Sequence, residues 1–301
     1  MKILHFSDIH LGLGLDHVPL RDWPGKRLAG GLNLLRGRQR RFAGTPEKVR
    51  RLAELARAEG VDLVLFSGDF TAMGTDAELA AARAIVQPFT EVSAGFTCVP
   101  GNHDLYASDV LREKRFERHF GEFLLSDIPG LRADGPWPLV RLIGSDLAVV
   151  AVNSARPNPA PWRSSGRVPN EQIEGLRQVL EHPAVGGRTV LVITHYAPCL
   201  PDGGPDHRNH RMENAREFLD ACACIGSGAI LCGHVHRTYR VRLPGIGPDI
   251  LCAGSATMKP HEGFWLLETV GGQATARRGR WTGNRFELES HRSARLGRDA
   301  Q

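Results

Sequence analysis

The sequence predicts an α/β fold in which parallel strands are covered by helices. Short, almost wholly apolar runs alternate with segments of helical periodicity through the first third of the chain, as expected for strands buried on both faces. Polar residues follow these runs at their carboxyl ends. The 301 residues, 42% of them hydrophobic, are enough to bury a substantial core. We expect one domain over residues 1–290, with an insertion at 12–44 and a polar, frayed tail at 291–301.

The first third of the chain predicts three strands and two helices. The helix over 45–60 has Thr45 as its expected N-cap, with proline at the next position. The helix over 77–89 is expected to be capped by Thr75 or Asp76. Each helix separates two strands, which favours parallel pairing. The predicted strands span residues 2–7, 61–67 and 96–99.

The rest of the chain predicts a hairpin, two helices and a β-rich end. The hairpin joins 139–143 to 147–153, and the helices cover 170–181 and 212–224. The remaining strands are predicted from short apolar or alternating runs bounded by turn residues. They span residues 188–194, 229–232, 238–243, 249–253, 263–269, 274–281 and 285–290.

The positive charge of the chain is concentrated in its insertion. The net charge is +5, and residues 23–44 carry six basic residues without an acid. These are Lys26, Arg27, Arg36, Arg38, Arg40 and Arg41. A local basic patch suggests a local partner. The first residues do not resemble a signal peptide and no apolar stretch is long enough for a membrane span, so we expect a cytoplasmic protein with reduced cysteines.

Five short motifs of Asp, Asn and His follow predicted strands. They are Asp8-Ile9-His10, Gly68-Asp69, Gly101-Asn102-His103-Asp104, Thr194-His195 and Gly233-His234-Val235-His236. Each motif alone has an ordinary structural interpretation as a turn or a satisfied polar residue. Together they bring oxygen and imidazole ligands to the strand edge where α/β folds bind ligands. Such ligands suit Mn, Fe or Zn, and their number suits two divalent or trivalent metal ions rather than one.

This order of motifs resembles the calcineurin-like metallophosphoesterase superfamily. The resemblance implies a two-sheet β sandwich flanked by helices, an αββα arrangement. It also implies a role for each motif residue. One metal would be bound by Asp8, His10 and His236, the other by Asn102, His195 and His234, with Asp69 as the bridge, His103 as the catalytic histidine and Asp104 as the residue that orients it.

The implied reaction is hydrolysis of a phosphodiester by a metal-bridging hydroxide. A protein phosphatase is disfavoured, because the GDxxDRG and GNHE motifs of those enzymes are replaced here by Gly68-Asp69-Phe70 and by a motif that ends in Asp104. A nucleic acid polymer is not expected as a substrate, because the chain has little room for a DNA-capping region. The motifs resemble most the branch of bacterial class III cyclic-nucleotide phosphodiesterases, so a small phosphodiester such as a cyclic nucleotide is the first hypothesis.

The basic insertion leaves a second hypothesis open. Leu28, Leu32 and Leu35 have helical spacing among the basic residues. Residues 23–42 are therefore either a solvated loop anchored on the core, or a short helix that meets an anionic membrane and forms a wall of the site. The second interpretation would favour a lipid-linked phosphodiester or diphosphate as the substrate, as in diacylglucosamine diphosphatases of the same superfamily.

Two further interpretations concern the loop over 201–211 and the presence of catalysis. The loop over 201–211 offers His207 and Arg208 as candidates to bind a second phosphate, or as ordinary solvated side chains. A scaffold that has lost catalysis ranks last, because none of the expected metal ligands is missing. The oligomeric state cannot be predicted from the sequence.

Overall fold

Strands of the chain assemble into two six-stranded sheets. A computed structural model describes residues 1–23, 25–33, 37, 39–158 and 160–297. Helices flank the two sheets, so the predicted α/β class and the two-sheet sandwich are confirmed. The strands are β1 (Lys2–Phe6), β2 (Leu63–Phe66), β3 (Phe96–Cys98), β4 (Leu139–Ile143), β5 (Leu147–Ala151), β6 (Thr189–Ile193), β7 (Gly228–Cys232), β8 (Thr238–Val241), β9 (Asp249–Ala253), β10 (Gly263–Val270), β11 (Gln273–Trp281) and β12 (Phe286–Leu296).

Parallel strands lie inside both sheets. The first sheet has the order β12-β11-β10-β1-β2-β3 and the second has the order β4-β5-β6-β7-β9-β8. In the first sheet, β1, β2 and β3 are parallel to one another. In the second sheet, the parallel strands are β5, β6, β7 and β9. The carboxyl ends of β1, β2 and β3 therefore share one edge of their sheet, and those of β6 and β7 share one edge of the other. The five motifs follow these strands.

The inner strands are buried along their whole length. Every residue of β2, β5 and β6 is buried, which explains why these segments are continuous apolar runs rather than alternating ones. Burying a Val, Leu, Ile or Phe side chain contributes about 1.5–3 kcal/mol relative to leaving it exposed. One cluster of buried apolar side chains contains residues of both sheets, so the sheets share a core.

Helices connect the parallel strands, as the alternation of segments predicted. Thr75 and Glu78 form a reciprocal capping box at one helix. The prediction that Thr45 is an N-cap is wrong, because Gly44 occupies that position with a left-handed backbone and Thr45 is already helical. The α-helices are α1 (Lys26–Asn33), α2 (Gln39–Arg41), α3 (Thr45–Glu59), α4 (Asp76–Ile85), α5 (Gln87–Thr90), α6 (Ser108–Arg112), α7 (Arg115–Phe120), α8 (Asn170–Glu181) and α9 (Ala215–Cys222). Short 3₁₀ helices cover Leu15–His17, Leu20–Asp22, Gly121–Phe123 and Pro129–Leu131.

The predicted frayed tail is wrong over most of its length. Strand β12 continues to Leu296 and pairs with β11 as far as Ala274. Leu296 is buried, and the backbone N–H of Gly297 donates to the Asp249 carboxylate in the second sheet at 2.9 Å. The polar composition of the segment suggested fraying, but backbone pairing to a long neighbouring strand orders it. Residues 298–301 lie outside the described part.

The insertion contains a helix, in agreement with the leucine spacing. Leu28 and Leu32 on α1 are 58% and 49% exposed. Leu35, Arg36 and Arg38 lie outside the described residues. No helix in the described ranges is long and apolar enough to cross a membrane. The six cysteines are free thiols, and all except Cys224 are buried.

Candidate metal centre

Several of the predicted metal ligands have an uncommon backbone conformation. Five of them have positive φ, namely Asp8 (56°), His10 (44°), Asp69 (61°), His234 (68°) and His236 (56°). Such a conformation is uncommon outside glycine and costs of order 1–3 kcal/mol per residue. The strained residues follow the carboxyl ends of β1, β2 and β7, so the strain is concentrated where the motifs meet. The sequence indicated these residues but not their backbone conformation.

Two motif glycines allow this close approach. A Cβ on Gly101 would lie 2.1 Å from a carboxylate oxygen of Asp69, and a Cβ on Gly233 would lie 2.3 Å from a carboxylate oxygen of Asp8. Both distances are far below van der Waals contact, so only glycine fits at these positions. The glycines thereby let the third and fifth motifs pack directly against the second and the first.

One group of ligand atoms converges around Asp8. Single atoms of Asp8, His10, Asp69 and His236 all lie within 4.8 Å of one another. Nε2 of His10 is 2.9 Å from Nε2 of His236, a separation that requires a shared proton or a shared cation. Burial would raise the pKa of Asp8, but hydrogen bonds with His10 and His236 and the neighbouring imidazoles lower it well below its usual range. Two carboxylates and two imidazoles suit a first-row transition metal.

A second group of ligand atoms lies on the other side of Asp69. Oδ1 of Asn102 is 3.1 Å from Nε2 of His195 and 3.0 Å from Nδ1 of His234. Oδ2 of Asp69 is 3.5 Å from Nε2 of His195 and 3.4 Å from Nε2 of His10, which belongs to the first group. Asp69 therefore stands between the two groups, where a carboxylate can bridge two cations. The structure brings together all seven predicted ligands.

Backbone carbonyl groups set the tautomers of the second group. Nδ1 of His195 lies 2.7 Å from the carbonyl oxygen of Ser67, and Nε2 of His234 lies 2.8 Å from that of His210. A carbonyl accepts only from N–H, so the opposite ring nitrogens direct their lone pairs toward Asn102. Burial lowers the pKa of His195 and lowers that of His234 well below its usual range. A lowered pKa favours the neutral imidazole, which is the form that binds a metal ion.

His103 lies beside Asp69 and His10. Its Nδ1 is 2.6 Å from the carbonyl oxygen of Ala72, and its backbone N–H donates to Oδ1 of Asp69 at 2.7 Å. Its ring is 4.7 Å from the ring of His10 between centroids, at 82°. The carbonyl of Ala72 keeps the ring proton on Nδ1, so proton exchange with a substrate would use Nε2.

Asp104 has a different task from the predicted one. We predicted that it orients His103, but Ala72 occupies that position. The Asp104 carboxylate instead accepts from the backbone N–H groups of Asp69 and Gly101 at 2.8 Å and of Thr71 at 3.0 Å. Burial raises the pKa of Asp104 to about 6, and the backbone donors satisfy the buried carboxylate. Asp104 therefore fixes the loops that present the ligands.

A cavity of about 180 Å³ opens above the ligands. His210 lines it, whereas the predicted substrate contacts His207 and Arg208 do not; both are exposed to solvent on the same loop. The cavity is also lined by Lys26 and Trp162. Sequence reasoning missed both, since Lys26 was grouped with the basic insertion and no motif marked Trp162.

The donor atoms and tautomers fit two metal ions. Carboxylate, amide and imidazole side chains form two groups that share Asp69, and burial lowers the pKa of the His195 and His234 imidazoles, which favours their neutral form. The family described as calcineurin-like phosphoesterase matches residues 1–238 of the chain. The chain belongs to this family. The family match accounts for the order of the five motifs along the sequence of this phosphoesterase.

One protein is similar to the chain in sequence, and two solved structures are similar to it in fold. A protein of Rhodococcus erythropolis (strain PR4 / NBRC 100887), named a probable cyclic nucleotide phosphodiesterase, is 26% identical over 217 residues. The match covers 70% of this chain and 62% of the relative. A dimetal phosphatase from Danio rerio has a TM-score of 0.63 at 14% identity, with 96% of this chain and 98% of that chain covered. A purple acid phosphatase from seeds of yellow lupin (Lupinus luteus) has a TM-score of 0.57 at 12% identity, with 96% and 52% covered. At these identities, the two structures establish a shared fold.

Proposed function

We propose that this phosphoesterase hydrolyses a small phosphodiester, with cyclic nucleotides as the first substrate class. The observation that carries the proposal is the placement of Asp69 between two groups of ligands, with His103 lining the same cavity as members of both. The name of the relative in Rhodococcus erythropolis supports the phosphodiester class. The cavity of about 180 Å³ above the ligands is consistent with a small substrate.

The reaction assigns a task to each group of side chains. Two metal ions bound at the seven ligands would offset the charge of a phosphate and lower the pKa of a coordinated water. His103, whose Nδ1 lies against the Ala72 carbonyl, would donate a proton from Nε2 to the leaving oxygen or stabilise the charge on that oxygen. Asp104 keeps the loops of Asp69 and Gly101 together and does not contact the substrate in this scheme.

Turnover with defined esters tests the proposal. The protein is loaded with Mn²⁺, Fe or Zn²⁺ in separate samples, and the hydrolysis of bis(p-nitrophenyl) phosphate is compared with that of p-nitrophenyl phosphate. Cyclic nucleotides, nucleotide diphosphates and lipid phosphates follow. We expect the diester to be favoured. Hydrolysis of the monoester alone would overturn the phosphodiester class, and metal binding without any turnover would favour the inactive scaffold.

A lipid-linked phosphodiester or diphosphate is the second candidate. A larger cavity of about 510 Å³ lies beside the metal-ligand candidate His10, and Leu11, Leu13 and Phe42 contribute apolar side chains to its lining. Leu28 and Leu32 on α1 are exposed close by in the chain. An acyl chain would suit such surfaces. Hydrolysis of a lipid phosphodiester in mixed micelles, at a higher kcat/KM than that of any soluble diester, would favour this candidate over the first.

A further inference from the structure

The insertion is fixed to the core by a buried arginine. Arg27 is 1% exposed. Its Nε donates to the carbonyl oxygen of Met73 at 3.0 Å, and one terminal nitrogen donates to a carboxylate oxygen of Asp109 at 2.8 Å. A buried guanidinium with charged and backbone partners is held in one position. The start of α1 is therefore a fixed wall, and its neighbouring side chain has a defined place.

That neighbouring side chain is Lys26, which lines the cavity above the metal ligands. Its ammonium lies 4.7 Å from the centre of the Tyr106 ring and 3.5 Å from the carbonyl oxygen of Arg163. The Tyr106 ring in turn lies 5.3 Å from the ring of His103. A Cβ on Gly30 would lie 2.4 Å from the Tyr106 hydroxyl, so glycine lets α1 pack this closely. Lys26 thus brings a positive charge from the insertion into the site.

The segment that Lys26 contacts at Arg163 carries an exposed indole. Trp162 lines the cavity and is 75% exposed. Its loop is tied to the metal ligands, because the hydroxyl of Tyr196 donates to the carbonyl oxygen of Ser164 at 2.5 Å and the Tyr196 ring lies 4.0 Å from the ring of His234. An exposed tryptophan at the mouth of a polar site is a surface on which a flat ring can stack.

We propose that Lys26 and Trp162 form a substrate subsite that selects phosphodiesters bearing a flat aromatic ring, such as a nucleobase. Lys26 would contact a phosphate oxygen and Trp162 would stack on the ring, while the metal ligands and His103 act on the phosphorus side. The inference rests on the proposed function and narrows it. It also separates the two substrate classes, because an acyl chain offers nothing to stack on Trp162.

Paired substrates test the subsite. The ring-bearing diester is cyclic AMP, and the ring-free diester is glycerophosphoglycerol. Trp162→Ala should lower kcat/KM for cyclic AMP by roughly 5–150-fold, the range for loss of one stacked base, and leave glycerophosphoglycerol within about twofold. Trp162→Phe should recover most of the loss. Lys26→Gln should lower kcat/KM for both diesters by roughly 10–100-fold, and Lys26→Arg should recover part of it. Lys114→Gln, at an exposed lysine outside the cavity lining, is the control.

Equilibrium dialysis keeps the test independent of turnover. Wild type should bind cyclic AMP more tightly than glycerophosphoglycerol, and Trp162→Ala should remove the difference while its melting temperature stays near that of wild type. The subsite would be overturned if Trp162→Ala lost affinity and kcat/KM equally for both diesters. It would also be overturned if Lys26→Gln lost neither. If wild type hydrolyses neither diester, the proposed function fails, and the dialysis result alone decides whether the subsite exists.

Discussion

Nδ1 of His103 lies 2.6 Å from the carbonyl oxygen of Ala72. This contact links the candidate catalytic histidine to the insertion, because the next carbonyl along the chain, that of Met73, accepts from Arg27. The loop over 71–74 is therefore held from both sides, by the insertion and by Asp104, which accepts from Thr71. The carbonyl group that accepts from the His103 ring therefore lies outside the motif that contains the histidine, although Asp104 of that motif helps to hold its loop.

His103→Ala should separate chemistry from metal binding. The ring contacts the backbone of Ala72 and stands beside the ligands, so its removal should lower kcat by roughly 10²–10⁴-fold, the usual contribution of a general acid. Metal content, measured by plasma emission spectrometry, should stay at two ions per chain. Loss of a metal ion in this variant would identify His103 as a ligand instead.

Asp69→Asn should weaken both metal sites at once. Its Oδ2 lies within 3.5 Å of ring nitrogens from both groups, so removing its charge affects two cations. We expect loss of bound metal and of turnover together, measured on the same purified sample. Asp202→Asn, at an exposed aspartate, is the matched control and should keep both. A variant of Asp69 with wild-type metal content and rate would refute the bridging assignment.

Motifs at strand ends could be predicted because they depend on local sequence. A buried parallel strand is a continuous apolar run, and residues such as Asp8 and His234 follow one directly. Lys26 and Trp162 could not be placed, since their position depends on contacts between segments far apart in the chain. The strand predicted over 285–290 stops short of the end of β12 for the same reason, because pairing with β11 overrides the polar composition of the following residues.

Arg27→Met should destabilise the protein and slow catalysis. The substitution leaves the Met73 carbonyl without this buried donor and removes one of the two arginines that pair with Asp109, the other being Arg115 at 3.1 Å. We expect a loss of about 3 kcal/mol in the free energy of unfolding in urea, and a lower kcat at temperatures where the variant is folded. Arg21→Met, at an arginine 78% exposed, should change stability by less than about 0.5 kcal/mol. Equal effects of the two variants would contradict the anchoring role.

Glu78 should make stability depend on pH. Burial raises its pKa from 4.5 to about 7. A raised carboxyl pKa means that its contribution to stability is fully present below pH 4.5 and is lost as the pH rises through 7. Glu78→Gln removes this titration, so its stability relative to wild type should improve by about 2–3 kcal/mol between pH 5 and pH 8. Urea denaturation at both pH values measures the change, and Glu171→Gln on an exposed face of α8 is the control. If the difference in the free energy of unfolding between Glu78→Gln and wild type is the same at both pH values, Glu78 is not buried in its protonated form.

Binding to anionic vesicles tests whether the insertion contacts a membrane. Lys26 and Arg27 are buried, so of the six basic residues only four can contribute at about 1 kcal/mol each near an anionic surface. Vesicle sedimentation should show binding to anionic liposomes, little binding to neutral ones, and release at high salt.

Replacing Arg36, Arg38, Arg40 and Arg41 with Gln should abolish that binding. Leu28→Ser with Leu32→Ser should weaken it at both salt concentrations, because the two exposed leucines supply the apolar contact. Leu125→Ser, at a leucine 67% exposed elsewhere in the chain, is the control. If the wild-type protein does not bind anionic vesicles at low salt, the lipid candidate fails and a soluble phosphodiester is favoured as the substrate. If the arginine variant stays folded but loses turnover of a small diester, the segment belongs to the wall of the active site.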